Sequence, residues 1–260
     1  MRALALLALV PLLAGSPALA GSIEADYSMR WMGIEIGRFE VELHTSPTDY
    51  RLAYTAHTTG ALGWLVDFTS KGTAQGQLTD HGPSARRYEG SSAWDDGESR
   101  WQVGFASDGR VTELVLDEAS QGDREPVPAE LRVGPDPFTL GLEALFDAGD
   151  KKRLSGQSFD GKRVMGFTMD CAAAPGPIQP AALVAPQGGA LLCSAKSELV
   201  AGRSKRWGDQ VDKDNEARPP ARLWLLSGIG GLPHWPVRIE AGTRWGAVTI
   251  ELDRLVDPAT

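Results

Sequence analysis

The chain has 260 residues, 42% of them hydrophobic, and 34 acidic against 26 basic side chains leave it a formal charge of −8 at neutral pH. An acidic chain without a basic cluster is a poor fit to nucleic acid or to anionic lipid headgroups, which select for positive surfaces. Its length suits one large β domain or two smaller ones with a substantial core.

The first twenty residues read MRALALLALVPLLAGSPALA: one basic residue, an apolar run from Ala3 to Ala14, and small residues Ala18 and Ala20 flanking Leu19. That is the pattern of a secretory signal peptide cleaved after Ala20, and the run is too short, and broken by Pro11, to be read as a membrane span. Losing Arg2 takes the formal charge from −8 to −9. No cysteine follows the cleavage site, so no lipoprotein anchor is expected, and no later stretch is apolar enough to span a bilayer. The expected product is a periplasmic or secreted protein with residues 21–260 as a single β domain.

From there the chain alternates apolar and polar residues between clusters of Gly, Asp, Asn and Pro, the signature of antiparallel strands joined by short turns. In YSMRWMGIEIGRFEVEL (Tyr27–Leu43) two glycines interrupt a strong strand pattern. A three-residue connection at Gly33–Glu35 would set Trp31 opposite Gly37, Met29 opposite Phe39 and Tyr27 opposite Val41. Gly33 then makes the turn and Gly37 is the bare position under the Trp31 ring, with a bulge at Gly37 as the alternative. A loop at Ser46–Asp49 puts Leu43 opposite Leu52, Val41 opposite Tyr54 and Phe39 opposite Ala56, so one face of that pair is buried. An Asp108-Gly109 turn sets Trp101 against Leu116, Val103 against Leu114 and Phe105 against Thr112.

One helix interrupts the strands. In GPDPFTLGLEALFDAGD, Asp136 is placed to cap and Pro137 to occupy the first turn, where its missing N–H costs nothing. Phe138, Leu142, Leu145 and Phe146 fall on one stripe and Gly149 can end the helix. Beyond it, Asp160-Gly161 turns one strand into the next, and VRIEAGTRWGAVTIEL near the C-terminus forms a last hairpin. The two cysteines, Cys171 and Cys193, flank a segment rich in proline and glycine (172–190). In an oxidising compartment they pair as a disulfide across that loop, worth about 3 kcal/mol in the chain-entropy picture. The expected fold is mainly β: a large antiparallel meander curled into a barrel or half-barrel, with one short capping helix over about 136–147. A two-sheet sandwich is the alternative.

Five stretches, in order, resemble a bacterial envelope family known as domain-of-unknown-function family 3108. They are YSMRWMGIEIGRFEVEL, VGPDPFTLGLEALF, FDGKR, GGALLCSAKSELVAGR and LWLLSGIGGLPHWPVRIE. The resemblance implies a secreted or periplasmic, mostly β protein, and supplies no catalytic residue, because the family has no established activity.

The residues themselves point to little chemistry. The histidines, His44, His57, His81 and His234, are scattered, and no spacing suggests a metal or cofactor site. The acid pair Asp95-Asp96 sits in a turn-like WDDGES, where neighbouring side chains diverge, so a glycoside-hydrolase dyad is unsupported. Eight tryptophans are the more informative feature. Trp31, Trp101, Trp224 and Trp245 fall in or at the ends of expected strands, where they either pack the core or line a concave sheet that holds a hydrophobic small molecule or lipid. Two non-enzymatic readings follow: a binder of such a ligand, or an assembly factor that docks an envelope protein partner through its outer strands and Pro-rich loop. A hydrolase with an unrecognised site is the third.

Overall fold

The computed structural model describes residues 21–63, 67–94, 97–118, 124–150, 153–176, 178, 189–205, 218–229, 232–243 and 246–257. The expected signal peptide, Trp245, Asp95-Asp96 and most of the loop between the cysteines lie outside them.

Thirteen strands form one antiparallel sheet: β1 (Gly21–Trp31), β2 (Ile34–Thr45), β3 (Asp49–Thr58), β4 (Thr69–Thr79), β5 (Gly82–Trp94), β6 (Gly97–Phe105), β7 (Val111–Leu116), β8 (Arg153–Phe159), β9 (Val164–Ala173), β10 (Ala190–Ala201), β11 (Ala221–Ile229), β12 (Leu232–Thr243) and β13 (Gly246–Val256). One helical turn, α1 (Gly60–Gly63), follows β3, and the main helix α2 (Pro137–Asp147) lies between β7 and β8 in the chain. The spatial order is β7-β6-β5-β4-β3-β2-β1-β13-β12-β11-β10-β9-β8. The single sheet sets aside the sandwich. Each half is a sequential meander, and the pairing of β1 with β13 joins them.

The sheet curls because bulk and smallness alternate across its inner face. One row of register partners runs Ala25, Val41, Tyr54, Gly72, Gly90, Trp101 and Leu116 across β1 to β7. The next runs Ile23, Leu43, Leu52, Ala74, Tyr88, Val103 and Leu114. Rings from one strand lie over glycines of its neighbour. A Cβ on Gly72 would stand 2.8 Å from Tyr54 Cε1, and one on Gly90 2.7 Å from Trp101 Cζ2. Strands without side chains at those points can bend toward the rings, which is how a wide sheet turns a corner. The outward positions of the same strands are polar, as in His44, Arg51, Gln75 and Arg87.

Strand pairing does not close the barrel. Edges β7 and β8 are not hydrogen-bonded to each other; a strip of the connection between them lies across the seam. Val111 N donates to Arg132 O and Gly134 N to Gly109 O on the β7 side. On the β8 side, Phe159 N donates to Pro135 O at 2.9 Å, and Gln157 Nε2 reaches Leu131 O and Val133 O. The strip covers part of each edge, at Val111 on β7 and at Gln157 to Phe159 on β8, where a bare edge would otherwise template association. Gly134 is required twice over: its φ is +107°, and a Cβ would collide with Gln157 O.

Two hairpins depart from the expected register. The β1–β2 turn is the two-residue Met32-Gly33, with φ of +50° and +85°, and it sets Tyr27 opposite Phe39 and Met29 opposite Gly37. A register shift beyond Met29 then pairs Arg30 with Glu35 and Trp31 with Ile34. The Met29 side chain, not the Trp31 ring, therefore covers Gly37, whose added Cβ would lie 2.6 Å from Met29 Cε. Period-two alternation fixes which face a residue takes but not a shift of two residues, so the pattern alone leaves this register open. In the β6–β7 hairpin a second shift pairs Phe105 with Val111 rather than Thr112. The hairpin at Ser46–Asp49 has Leu43 on Leu52, Val41 on Tyr54 and Phe39 on Ala56.

Cys171 and Cys193 are bonded, directly opposite one another on β9 and β10, with Cα atoms 4.0 Å apart. The bond clips the hairpin just inside the loop it carries. Asp160 and Gly161 form the β8–β9 turn: Asp160 Oδ1 accepts from Lys162 N and Arg163 N, and Gly161 has φ +97°.

The seam yields a stability test. Gly134→Ala should cost about 2–3 kcal/mol, from left-handed backbone plus the clash with Gln157. A urea midpoint that falls at unchanged slope is the expected reading; an unchanged midpoint would show that the strip does not hold the seam.

Candidate functional site

The interior is organised around the start of α2. Asp136 ends an extended segment and caps the helix: its Oδ1 accepts from Phe138 N at 2.9 Å and Thr139 N at 3.0 Å. Its Oδ2 accepts from Thr139 Oγ1 at 2.5 Å, and Thr139 Oγ1 is also 2.5 Å from the Tyr50 hydroxyl on β3. Asp136 and Thr139 are fully buried. A polar chain of Tyr50, Thr139 and Asp136 thus ties the helix to the sheet inside the core. Such a chain is tolerated because each member has a partner. Tyr50 reaches it by passing over Gly76, where a Cβ would sit 2.7 Å from its hydroxyl.

Around this anchor runs a file of six rings. Tyr27 meets Phe39 at 6.2 Å between centroids, Phe39 meets Tyr54 at 6.0 Å, and Tyr54 stacks on Phe138 of α2 at 4.3 Å. Phe138 then meets Tyr88 at 6.1 Å and Tyr88 meets Trp101 at 6.0 Å. The helix supplies one link and the strands β1, β2, β3, β5 and β6 the others. Leu142 sits buried one turn along, while Ala144 and Ala148 pack on Leu154, Met169, Cys193 and Leu225 in a second cluster under β8 to β11. Fully burying each large apolar side chain is worth about 1.5–3 kcal/mol. Gly149 leaves room for the His234 imidazole, whose Nδ1 lies 3.2 Å from Leu145 O.

The electrostatics follow from this burial. Desolvation pushes the Asp136 carboxyl above the usual carboxylate range, opposed by the hydrogen bonds from Thr139 and Phe138. Burial likewise raises the phenols of Tyr27, Tyr50 and Tyr88; the Asp136 charge adds to the effect at Tyr50, and Tyr54 adds to it at Tyr88. All three phenols stay protonated in any ordinary buffer, so they serve as hydroxyl donors and apolar bodies rather than as bases.

Of the four tryptophans singled out by the sequence, Trp245 lies outside the described residues, and the structure places the other three in different settings. Trp101 ends the ring file, with the Lys162 ammonium 6.0 Å from its ring centroid; its buried Nε1 has no hydrogen-bond partner among the described residues. Trp224 is held between the guanidinium groups of Arg222 and Arg238, at 4.7 and 5.3 Å. Trp31 stands half-exposed where β1 ends. These three do not converge on one surface. What sequence reasoning missed is the tyrosine set, Tyr27, Tyr50, Tyr54 and Tyr88, and Thr139. The available signal was the run GTAQG on β4, whose inward positions are Gly72, Ala74 and Gly76: small residues that only large neighbours can cover.

Two hollows lie outside the ring file. One, of about 250 Å³, runs between α2 and β8, with Leu140, Ala144, Leu154 and Phe167 along it and Glu143, Asp147 and Arg153 at its margins. The other, of about 480 Å³, is bordered by His44, Asp49, Arg51 and Arg86 near the β2–β3 turn. Among the described residues no three His, Cys, Asp or Glu side chains gather as metal ligands.

Among solved structures, the fold is similar to that of a beta-barrel-like protein of a domain of unknown function, DUF1849, from Brucella abortus. The match has a TM-score of 0.51 and 13% identity, and covers 93% of this chain and 99% of that one. No family model matches the chain, and no curated protein does. The likeness is one of fold.

The buried cap gives a pH test. A carboxyl held above its ordinary value binds its proton more tightly in the folded chain than in the unfolded one. The stability this contributes is full below roughly pH 4, the unfolded value, and is lost as pH rises through the folded value. Asn caps as well as Asp and does not titrate. The stability of the wild type relative to Asp136→Asn, from urea unfolding between pH 4 and 7, should therefore fall as pH rises; a flat difference would mean the cap is ionised throughout.

Proposed function

We propose that this protein is a non-catalytic envelope protein, periplasmic or secreted, whose curled sheet binds a hydrophobic or lipid-like molecule. The observation that carries the reading is the file of rings from Tyr27 to Trp101, in which Phe138 of α2 occupies one place. An apolar wall with few, buried polar groups is the usual lining of a small-molecule site. In this reading α2 is a plug: it fills the space beneath it in the free protein, and an acyl chain or similar body takes the place of Phe138 when the helix yields. The Asp136–Thr139–Tyr50 chain acts as its hinge pin. The ordered motifs that resemble family 3108 would fit an envelope setting, as does the disulfide.

The second reading, an assembly factor for another envelope protein, draws on the groove between α2 and the edge strand β8. A strand edge beside an apolar floor is a familiar seat for an extended peptide. No residue is assigned a catalytic role in either.

Native mass spectrometry of protein purified without detergent, together with binding of an apolar fluorescent dye, separates the two. Phe138→Ala should raise dye binding severalfold, and a lipid should accompany the wild type. An empty protein whose dye binding is unchanged by Phe138→Ala would overturn the ligand reading.

A further inference from the structure

Four neighbouring strands turn a polar row outward, from His44 on β2 through Arg51 on β3 and Gln75 on β4 to Arg87 on β5. Next to this row the pairing is irregular. Gln75 lies opposite Arg87 and Gly76 opposite Ala85, so Arg86 is an extra residue in β5, a β-bulge. A bulge takes a side chain out of the alternation and re-aims it. Here Arg86 comes to the border of the hollow of about 480 Å³ that His44, Arg51 and Gln75 also border, beside the β2–β3 turn.

The charges set these two arginines apart. Arg87, next in the chain, holds Glu89 at 2.8 Å, Arg30 holds Glu251 at 2.6 Å and Arg254 holds Asp26 at 3.1 Å. Arg51 reaches the Thr73 hydroxyl at 3.5 Å, and neither it nor Arg86 has a carboxylate partner among the described residues. Two acids close by in the chain have other partners. Glu42 lies 2.8 Å from His44 Nε2, and Asp49, on the border itself, accepts from Thr48 Oγ1 at 2.6 Å in a turn closed by Ser46 N on Asp49 O. Two exposed guanidinium groups thus border one hollow in a chain whose formal charge is −8. Folding alone gains nothing from leaving like charges together.

We propose that this hollow binds a phosphate group, either free or as the monoester of a small molecule or a lipid headgroup. A guanidinium presents a planar fork of N–H donors that grips phosphate through paired bonds. A phosphate monoester carries close to two negative charges near neutral pH and offers three strong acceptor oxygens, enough for both forks and the Gln75 amide beside them. A carboxylate, with one charge and two oxygens, would leave one guanidinium uncompensated. The hollow is of a size that suits a small molecule. Arg51 and Arg86 lie far apart in the chain, so no basic cluster shows in the sequence; strand pairing and the bulge bring them together. The site is on the outer face of the sheet, and the inference does not depend on what the lumen holds.

The test is isothermal titration calorimetry of the purified protein in a phosphate-free, low-salt buffer, with inorganic phosphate, glycerol phosphate and acetate as titrants, and sedimentation with phosphatidate vesicles as a further arm. The wild type should bind phosphate or its ester and discriminate against acetate. Arg51→Gln and Arg86→Gln should each weaken binding at least about tenfold, the loss of one charge-assisted contact, and together abolish it. Arg86→Lys keeps the charge without the fork and should fall between. Both side chains are exposed, so without phosphate the variants should melt where the wild type does, and only the wild type should gain thermal stability when phosphate is added. Tighter binding of glycerol phosphate would support a soluble ester as the source, and tighter binding of phosphatidate a headgroup. A wild type that gives neither heat nor a thermal shift with phosphate, variants that bind as tightly as the wild type, or equal affinity for acetate and phosphate would each overturn the proposal.

Discussion

Everything in this molecule depends on rings lying over bare backbone. A long antiparallel sheet has its own twist but no reason to curl tightly enough to wrap a single helix. Here the inner face lacks side chains at Gly72, Gly76 and Gly90, and Tyr54, Tyr50 and Trp101 from adjoining strands fill the vacated space. Packing density is conserved while the strands themselves are drawn inward. Adding a methyl group at any of these points would force a ring off its seat, and with it the stack on Phe138 that seats α2. The helix and the curl are thus one arrangement seen from two sides.

The polar chain at the head of α2 depends on the same geometry. Tyr50 can reach Thr139 because Gly76 lets it cross, and Thr139 in turn shares the Asp136 carboxylate with two backbone N–H groups. A buried carboxyl surrounded by apolar rings would be costly alone. Held by three donors at a helix start, it fixes the depth and rotation of the helix in a way apolar contacts do not.

Much of this was legible in the sequence because the signals are local. Alternation with Asp-Gly and Ser-Pro turns gave the strands, and Asp136-Pro137 gave the helix start, since caps and turns are written in neighbouring residues. Pairing Cys171 with Cys193 needed only the count of two. The register of β1 on β2 was not legible: the apolar set faces inward at either spacing, and the choice is made by Met32 accepting a left-handed turn that a propensity argument would give to Asn or Gly. The ring file was equally hidden, because it joins residues from β1 to β6 with one from α2, and nothing in a period of two says which inward tyrosine meets which. The idea that glycine and aromatic residue pair to bend the sheet holds, but at Tyr54 with Gly72 and Trp101 with Gly90, while Gly37 lies under Met29.

The junction of β1 with β13 has a further consequence. It is the sole neighbouring pair in the sheet that is not consecutive in the chain; every other pairing joins one strand to the next. The two meanders can therefore each form from short-range contacts, the kind that assemble quickly, while the centre of the sheet waits for the final strand to arrive. A chain cut in the connection between β7 and β8 and joined from Val256 back to Gly21 would read its strands in the order in which they lie. In the natural order β13, which follows the other twelve strands in the chain, completes the middle of the structure, so until it pairs the protein is two half-sheets whose inner edges, β1 and β12, are unpaired.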